Sequence, residues 1–303
     1  MAHKKIVLAG GTGFVGRYLT AQFTRLGYEI INISRQAGGI RWEDRKAMVE
    51  ALDHSEMLIN LAGKSVDCRY NEKNKEEILT SRTLTTEMLG KAILECENPP
   101  ELWLNSSTAT IYRHSEDRPM TERHGEIGTG FSVNVATSWE KAFFDFKLPK
   151  TRQIALRMAI VLGKDGGVMV PFVNLVRFGL GGKQGNGNQM FSWIHIEDLF
   201  HIIVFLQGNK DLSGVLNCSS PHPVPNSTLM HTLRQCMNVK FGLPSPRFLL
   251  EVGAVILGTE TELILKSRWV IPERLLEAGY VFKYPDIDAA LQQILTDGKK
   301  GRR

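Results

Sequence analysis

The apolar run Ile6-Val7-Leu8-Ala9 passes directly into Gly10-Gly11-Thr12-Gly13-Phe14-Val15-Gly16, and an amphipathic stretch, 17–26, follows. A buried strand that turns on glycines into a helix leaves unpaired backbone N–H groups, and the positive end of the helix dipole, facing outward beyond the strand end. A pyrophosphate fits that arrangement. Gly10 permits the tight turn, Gly13 lets the backbone approach phosphates without a Cβ, and Gly16 lets the helix pack close on the strand. Because a second strand is expected at 29–34, all seven residues from Gly10 to Gly16 are assigned to a bound dinucleotide.

Beyond that motif, apolar runs alternate with helical patterns. Strands are expected at 29–34, 57–61, 102–106 and 152–161, with helices at 45–52, 73–95 and 137–146. This rhythm means right-handed βαβ crossovers and a doubly wound, parallel Rossmann sheet of the α/β class, with ligands beyond the strand C-termini where Gly10, Ser34, Asn60 and Ser106 fall. After residue 163 the rhythm breaks on Gly166-Gly167, Gly179-Leu180-Gly181-Gly182 and Gly185-Asn186-Gly187, and one further helix is expected at 196–206. The expected division is a nucleotide-binding domain of 1–163 plus 196–220 and a smaller C-terminal α+β substrate domain of 164–195 plus 221–303.

The 303 residues carry a net charge of +5, part of it in the closing run Lys299-Lys300-Gly301-Arg302-Arg303. That run reads as a solvated tail, so no nucleic-acid partner is expected. Met1-Ala2-His3-Lys4-Lys5 leads straight into a core strand, and no apolar stretch is long enough to span a bilayer, so neither a secretory leader nor a membrane partner is expected. The four cysteines, Cys68, Cys96, Cys218 and Cys236, are too widely spaced for a zinc site or a disulfide framework. A reducing cytoplasm and no metal are the resulting expectations.

The end of the second strand separates the two nicotinamide cofactors. An acidic residue there would accept from the adenosine ribose and repel a 2′-phosphate, whereas Ser34-Arg35 offers a hydroxyl and a guanidinium. NADP(H) is therefore the expected cofactor.

Gly10 to Gly16, Asn60-Leu61-Ala62-Gly63 and Asn105-Ser106-Ser107-Thr108-Ala109-Thr110-Ile111-Tyr112 resemble successive strand ends of the extended short-chain dehydrogenase/reductases, the group of the NAD(P)-dependent sugar-nucleotide epimerases. Arg41-Trp42, Ser81-Arg82, Trp139-Glu140, Gly181-Gly182, the run from Ser192 to Leu199, Val270-Ile271-Pro272 and Ala278-Gly279-Tyr280 are similar to a narrower set, the atypical "epimerase family" proteins. The resemblance implies an NADP-binding oxidoreductase whose substrate is generally unassigned. It also implies cofactor contacts from Leu61, Ala62, Gly63 and Val161, with Glu77 and Arg82 on the cofactor side of the long third helix; Arg82 there reaches either the cofactor or an anionic substrate. Pairing of those two charges with each other, or with neighbours on the helix surface, is the alternative.

Departures from the wider superfamily bear on the reaction. Its active members use a Tyr-x-x-x-Lys pair, in which the lysine lowers the tyrosine pKa for proton exchange with substrate. None of the six tyrosines here is followed by a lysine at that spacing. Counted back from Glu140, the two positions hold Ser132 and Ala136. The sugar-nucleotide enzymes also carry a diphosphate-gripping arginine where this chain has Phe191, and often a substrate-binding asparagine where it has Ile160, so the substrate is expected to be a small molecule other than a nucleotide sugar.

Two residues remain as candidates for chemistry. Thr108 occupies the position of the superfamily's substrate-orienting hydroxyl, or else caps the strand end. His195 has an imidazole that titrates near neutrality, or else leads structurally into the next helix. Trp139 and Glu140 either face the cleft or form a core tryptophan beside a paired carboxylate. Two functions stay open: an NADP(H)-dependent oxidoreductase, and an NADPH-binding regulatory or scaffold protein. A homodimer is an arrangement open to either.

Overall fold

The computed structural model describes residues 4–36, 38–164, 166–246 and 265–300. Strand and helix alternate through the first half as β1 (Lys5–Ala9), α1 (Phe14–Arg25), β2 (Glu29–Ile33), α2 (Arg45–Leu52), β3 (Met57–Asn60), α3 (Glu72–Glu95), β4 (Leu102–Thr108), α4 (Phe131–Phe144) and β5 (Arg152–Met158). The second half is more broken: β6 (Ile160–Leu162), α5 (Met169–Arg177), β7 (Met190–Phe191), β8 (Trp193–His195), α6 (Ile196–Gly208), β9 (Gly214–Cys218), β10 (Val224–Pro225), α7 (Asn226–Cys236), α8 (Glu273–Glu277) and α9 (Ile287–Lys300).

Six strands form one parallel sheet in the order β2-β1-β3-β4-β5-β9. Successive side chains of a strand point to opposite faces, and both faces of this sheet are covered, which is why its strands read as unbroken apolar runs. On one face, Leu19 and Phe23 of α1 and Leu199, Ile202 and Leu206 of α6 pack on Ile6, Leu8, Ile59 and Leu104. On the other, Met48 and Leu52 of α2, Leu89 and Ile93 of α3 and Phe143 of α4 pack on Val7, Leu58 and Trp103. The architecture is the doubly wound α/β Rossmann fold. Strand order reverses between β1 and β3, and that switch point opens a crevice at the C-terminal edge.

Two expected elements differ. The strand expected at 152–161 breaks at Ala159: β5 stays in the large sheet, while β6 leaves it to pair in parallel with β8. The helix expected at 137–146 begins six residues earlier, at Phe131 after Gly130. Its first turn, Phe131-Ser132-Val133-Asn134-Val135, is poor in helix formers, so propensity hides it and tertiary packing of Val133, Val135 and Ala136 decides.

A separate apolar core lies between α5, α7 and α9, built from Phe172, Val176, Leu229, Leu233, Leu291 and Ile294 with Phe191 and Trp193. The expected domain division needs one correction. Leu275, Tyr280 and Phe282, assigned to the smaller domain, pack into the first sheet face beside α6. Asp198 explains the return: fully buried in the first turn of α6, its carboxylate accepts from the backbone N–H of Lys283 at 2.7 Å and of Tyr284 at 2.9 Å, and from the Tyr280 hydroxyl at 3.3 Å. Hydrogen bonds to a buried charge are each worth about 1.5–3 kcal/mol. Asp198→Ala is expected to cost about 2–4 kcal/mol in urea unfolding; an unaltered midpoint would show that the 280–284 segment is held by its apolar contacts alone.

Candidate functional site

The glycine turn sits at the switch point and is shaped by close approaches. Gly10 has φ +80°, and a Cβ there would lie 2.8 Å from the carbonyl carbon of Leu61, so the turn lies directly against the end of β3. A Cβ on Gly16 would meet the Gly11 Cα at 2.6 Å and the Gly10 oxygen at 2.7 Å. Gly16 therefore serves the packing of α1 against its own turn, more than against the strand as expected. Gly13 differs: a Cβ would find only the Gly10 oxygen, at 3.7 Å, and otherwise open space.

Gly13 is also the N-cap of α1. No side chain caps the helix, and no acidic residue stands in its first turn. The first N–H groups and the positive dipole end consequently have no compensating group from the described protein, and they face that open space. An oxyanion of a dinucleotide fits there without displacing anything. The side chains of Phe14 and Val15 are both engaged in packing. The Phe14 ring is seated on Gly163 and Gly166, where an added Cβ would strike it at 2.8 and 2.6 Å, and the Val15 side chain packs into the core. Arg17 holds the turn from the side, donating to the Thr12 carbonyl at 2.7 Å.

At the end of β2, Ser34 is buried, and its Oγ exchanges hydrogen bonds with the backbone of Gln36 at 3.2 Å. The expectation of a free serine hydroxyl is corrected: the group reaching outward is Arg35, exposed and without an ion pair among the described residues. At the end of β3, the Asn60 amide donates to Asn105 Oδ1 at 2.7 Å and to Thr86 Oγ1 at 3.1 Å, and accepts from the Ala62 N–H at 3.0 Å. This sets the path of Leu61-Ala62-Gly63. Val161 lies on β6, half-buried against the first core.

Glu77 and Arg82 do not pair with each other. Glu77 bonds the Lys64 ammonium, which holds its carboxyl below the usual carboxylate range. Arg82 donates from Nη1 to the Ile78 carbonyl at 2.9 Å and lies 5.2 Å over the Trp139 ring. Trp139 in turn donates from Nε1 to Thr86 at 2.9 Å.

Thr108 lies at the C-terminal end of β4, where its Oγ accepts from the Thr110 N–H at 3.1 Å and caps a short 3-10 turn, Ala109–Ile111. Accepting with an oxygen lone pair leaves the hydroxyl hydrogen available for donation. The two readings of this threonine are thus compatible. A cavity of about 470 Å³ lies past this turn, lined by Arg113, His114, Ile127, Gly128, Thr129 and Lys266.

His195 is a helix cap. Its Nδ1 accepts from the Glu197 N–H at 3.2 Å, which puts the proton of the neutral ring on Nε2, facing Gln293 Oε1 at 3.0 Å. Burial pushes its pKa down, favouring that neutral form. It borders a different cavity, of about 560 Å³, with Phe14, Arg17, Tyr18, Lys164 and Gln293 and without Thr108. The role of proton donor beside Thr108 is therefore not supported by its placement.

Glu140 points into the protein. Arg157 binds its carboxylate in a fork, Nε to Oε1 at 2.8 Å and Nη2 to Oε2 at 2.7 Å, while Ser107 donates to Oε1 at 2.6 Å. Arg157 Nη1 also donates to the Tyr112 hydroxyl at 2.9 Å, and Tyr112 to Asn217 Oδ1 at 2.9 Å. Burial opposes the charge of Arg157, but Glu140 and Tyr112 hold its pKa above the ordinary value. One turn earlier, Ala136 is closed into an apolar cluster with Ala109, Ile111, Tyr112 and Met120. Sequence reasoning missed Arg157, Thr86 and Asn105; an arginine inside the apolar run 152–161 was the available signal, because a buried guanidinium requires a partner.

Comparison with known proteins agrees with this geometry. Residues 6–130 match the NAD dependent epimerase/dehydratase family, and residues 245–294 match a domain of unknown function, DUF1731. The human epimerase family protein SDR39U1 is 33% identical over 302 residues, 96% of this chain and 99% of that one. The chain belongs to the epimerase family. Another member, YfhF of Bacillus subtilis, is 31% identical over 97% of this chain and 99% of its own. The crystal structure of human SDR39U1 with NADPH superposes with a TM-score of 0.87 at 32% identity, covering 97% of this chain and 99% of that one. No group of metal-binding side chains occurs among the described residues, and no described helix is long and apolar enough to cross a membrane.

Within this family member, removing Glu140 strands a buried guanidinium. Glu140→Ala is expected to cost about 3–5 kcal/mol in chemical denaturation; a loss below about 1 kcal/mol would mean that water or another group replaces the carboxylate.

Proposed function

We propose that this chain is an NADP(H)-dependent oxidoreductase acting on a small carbonyl compound or its alcohol. The observation that carries the reading is the uncapped N-terminus of α1 behind the open space at Gly13, set at the switch point of the sheet. Arg35, exposed at the end of β2, supports the choice of NADP(H): its guanidinium suits a 2′-phosphate. The crystallisation of the human relative with NADPH is in keeping with it. Leu61, Ala62, Gly63 and Val161 line the path of the dinucleotide. When bound, the reduced cofactor supplies a hydride.

The chain's own contribution at the reacting carbon is orientation. Thr108 donates its free hydroxyl hydrogen to the carbonyl oxygen, while its lone pair stays on Thr110. Ser132 and Ala136 stand where the wider superfamily has tyrosine and lysine, so the proton comes from water or from a group other than that pair. Phe191, in place of a phosphate-gripping arginine, sits in the second core against Phe172, which argues against a nucleotide sugar. The four cysteines stand free, as suits the reducing cytoplasm we propose for the chain. A second reading, an NADPH-binding regulatory or scaffold protein, draws on Ala136 and the Glu140–Arg157 pair, which leave α4 without a reactive group at those positions.

Gly13→Val puts a branched side chain into the phosphate space and is expected to weaken NADPH about five- to hundredfold in calorimetric titration, through overpacking of about 1–3 kcal/mol. Arg35→Asp is expected to weaken NADPH about ten- to hundredfold while sparing NADH; equal affinities before and after would remove Arg35 from the 2′-phosphate. A hydride-transfer screen of the NADPH-loaded protein against aldehydes, ketones and quinones separates the two functions. Turnover establishes the enzyme, and Thr108→Val should then lower kcat about 10²–10³-fold. Tight NADPH binding with no turnover across the panel favours the regulatory reading, and full activity of the valine variant would retire the role given to Thr108.

A further inference from the structure

We propose that the cavity of about 560 Å³ beside α1 is a regulatory site for a monocarboxylate with an apolar body, and that its occupation opposes cofactor binding. The coupling rests on the cofactor reading above; the site itself does not. Of the residues assigned to the dinucleotide, Phe14 alone lines this cavity. Its walls come from both cores: α1 and the start of α6, which pack on the large sheet, and Gln293 of α9, the helix of Leu291 and Ile294 in the second core. The bond from His195 to Gln293 at 3.0 Å spans that junction. Ligand pockets favour such junctions, and the volume falls within their usual range of about 300–1,000 Å³.

The lining offers donors on one helix face. Tyr18 is half-buried and its hydroxyl hydrogen-bonds no described residue; burial, with the Glu197 carboxylate, pushes its pKa up to about 12, so it stays a donor. The Gln22 amide, one turn further along α1, is likewise half-buried without a described partner. Arg17 forms no ion pair with a described residue, and Lys164 adds a second cation. Glu197 is the one acidic residue among the described lining, and the Lys283 ammonium already meets it at 3.1 Å; although burial opposes its charge, the bonds to Lys283 and Tyr284 hold its carboxyl below the usual range. A guanidinium flanked by two neutral donors suits a single negative charge, whereas a dianion would also face Glu197. The Phe14 ring and Ile196 supply an apolar wall for the body of the ligand.

Arg17 links this cavity to the phosphate turn, because it also donates to the Thr12 carbonyl at 2.7 Å. Phe14, whose ring lines the cavity, is the first residue of α1. A carboxylate bonded to Arg17 brings negative charge beside the first turn of α1 and weakens the attraction of that helix end for a second anion. Linkage is reciprocal, so the cofactor weakens the carboxylate by the same factor.

The probes are 2-naphthoate and its uncharged counterpart 2-naphthamide, titrated calorimetrically into wild type, Tyr18→Phe and Gln22→Glu, with NADPH affinity measured on all three. Wild type is expected to bind the naphthoate at least about tenfold more tightly than the amide. Both variants are expected to lose at least about tenfold in naphthoate affinity, one by losing a hydrogen bond to a charged group and the other by setting a like charge in the lining. NADPH affinity should stay within about threefold in both, which also reports an intact fold. Saturating naphthoate should weaken NADPH at least about fivefold in wild type. No naphthoate binding, equal binding of the amide, or naphthoate affinity unchanged in Gln22→Glu overturns the site, the last because the probe then lies elsewhere. NADPH affinity indifferent to naphthoate overturns the coupling. Failure of wild type to bind NADPH refutes the cofactor reading instead, and the naphthoate comparison among the three proteins then decides the site.

Discussion

The C-terminal edge of the sheet is assembled around a junction that no side chain can enter. Gly10 lies against the Leu61 carbonyl and Gly16 against Gly10 and Gly11, so β1, the end of β3 and the start of α1 approach to backbone contact. That closeness aims the α1 N-terminus into the switch-point crevice and leaves it uncapped. The Phe14 ring extends the same junction to Gly163 and Gly166, which leave room to receive it. A turn usually discussed for its affinity for phosphates is thus also the mechanical joint between the first two βα units and the segment leading to the smaller core.

Beside this junction α4 turns its residues inward. Ala136 completes an apolar cluster that could not admit an ammonium without a partner. One turn on, Glu140 looks inward to Arg157 and Ser107, joining α4 to β5 and to the residue next to Thr108. Buried, forked and fully bonded, the pair fixes where Thr108 and Tyr112 stand relative to each other. The strand end is thus positioned by a structural pair.

Local patterns carried far in this chain. The helix expected at 45–52 has those bounds, and the glycine turn, the strand ends and the parallel order follow from apolar runs whose period needs no tertiary knowledge. Reading failed where the deciding contact joins residues distant in the chain. The first turn of α4 is helical because Val133 and Ala136 are packed, in spite of its propensity. Ser34 is consumed by a loop that folds back over it. Glu140 and Arg157 lie on different elements and meet only in three dimensions. Of the two readings that residue type leaves open for His195, the bonds of both ring nitrogens favour the structural one, and only the surroundings in three dimensions separate them.

The arrangement of uncompensated charge says what the crevice is built to receive. Strands β2 and β3 flank β1, so their ends stand about 10 Å apart; Arg35 follows β2, Arg82 of α3 lies against Gly63 past the end of β3, and α1 starts from the strand between them. Three positive features around one crevice, with Glu77 already occupied by Lys64, repel one another until anions arrive. A dinucleotide carrying a 2′-phosphate brings negative charge to this crevice and removes part of that repulsion.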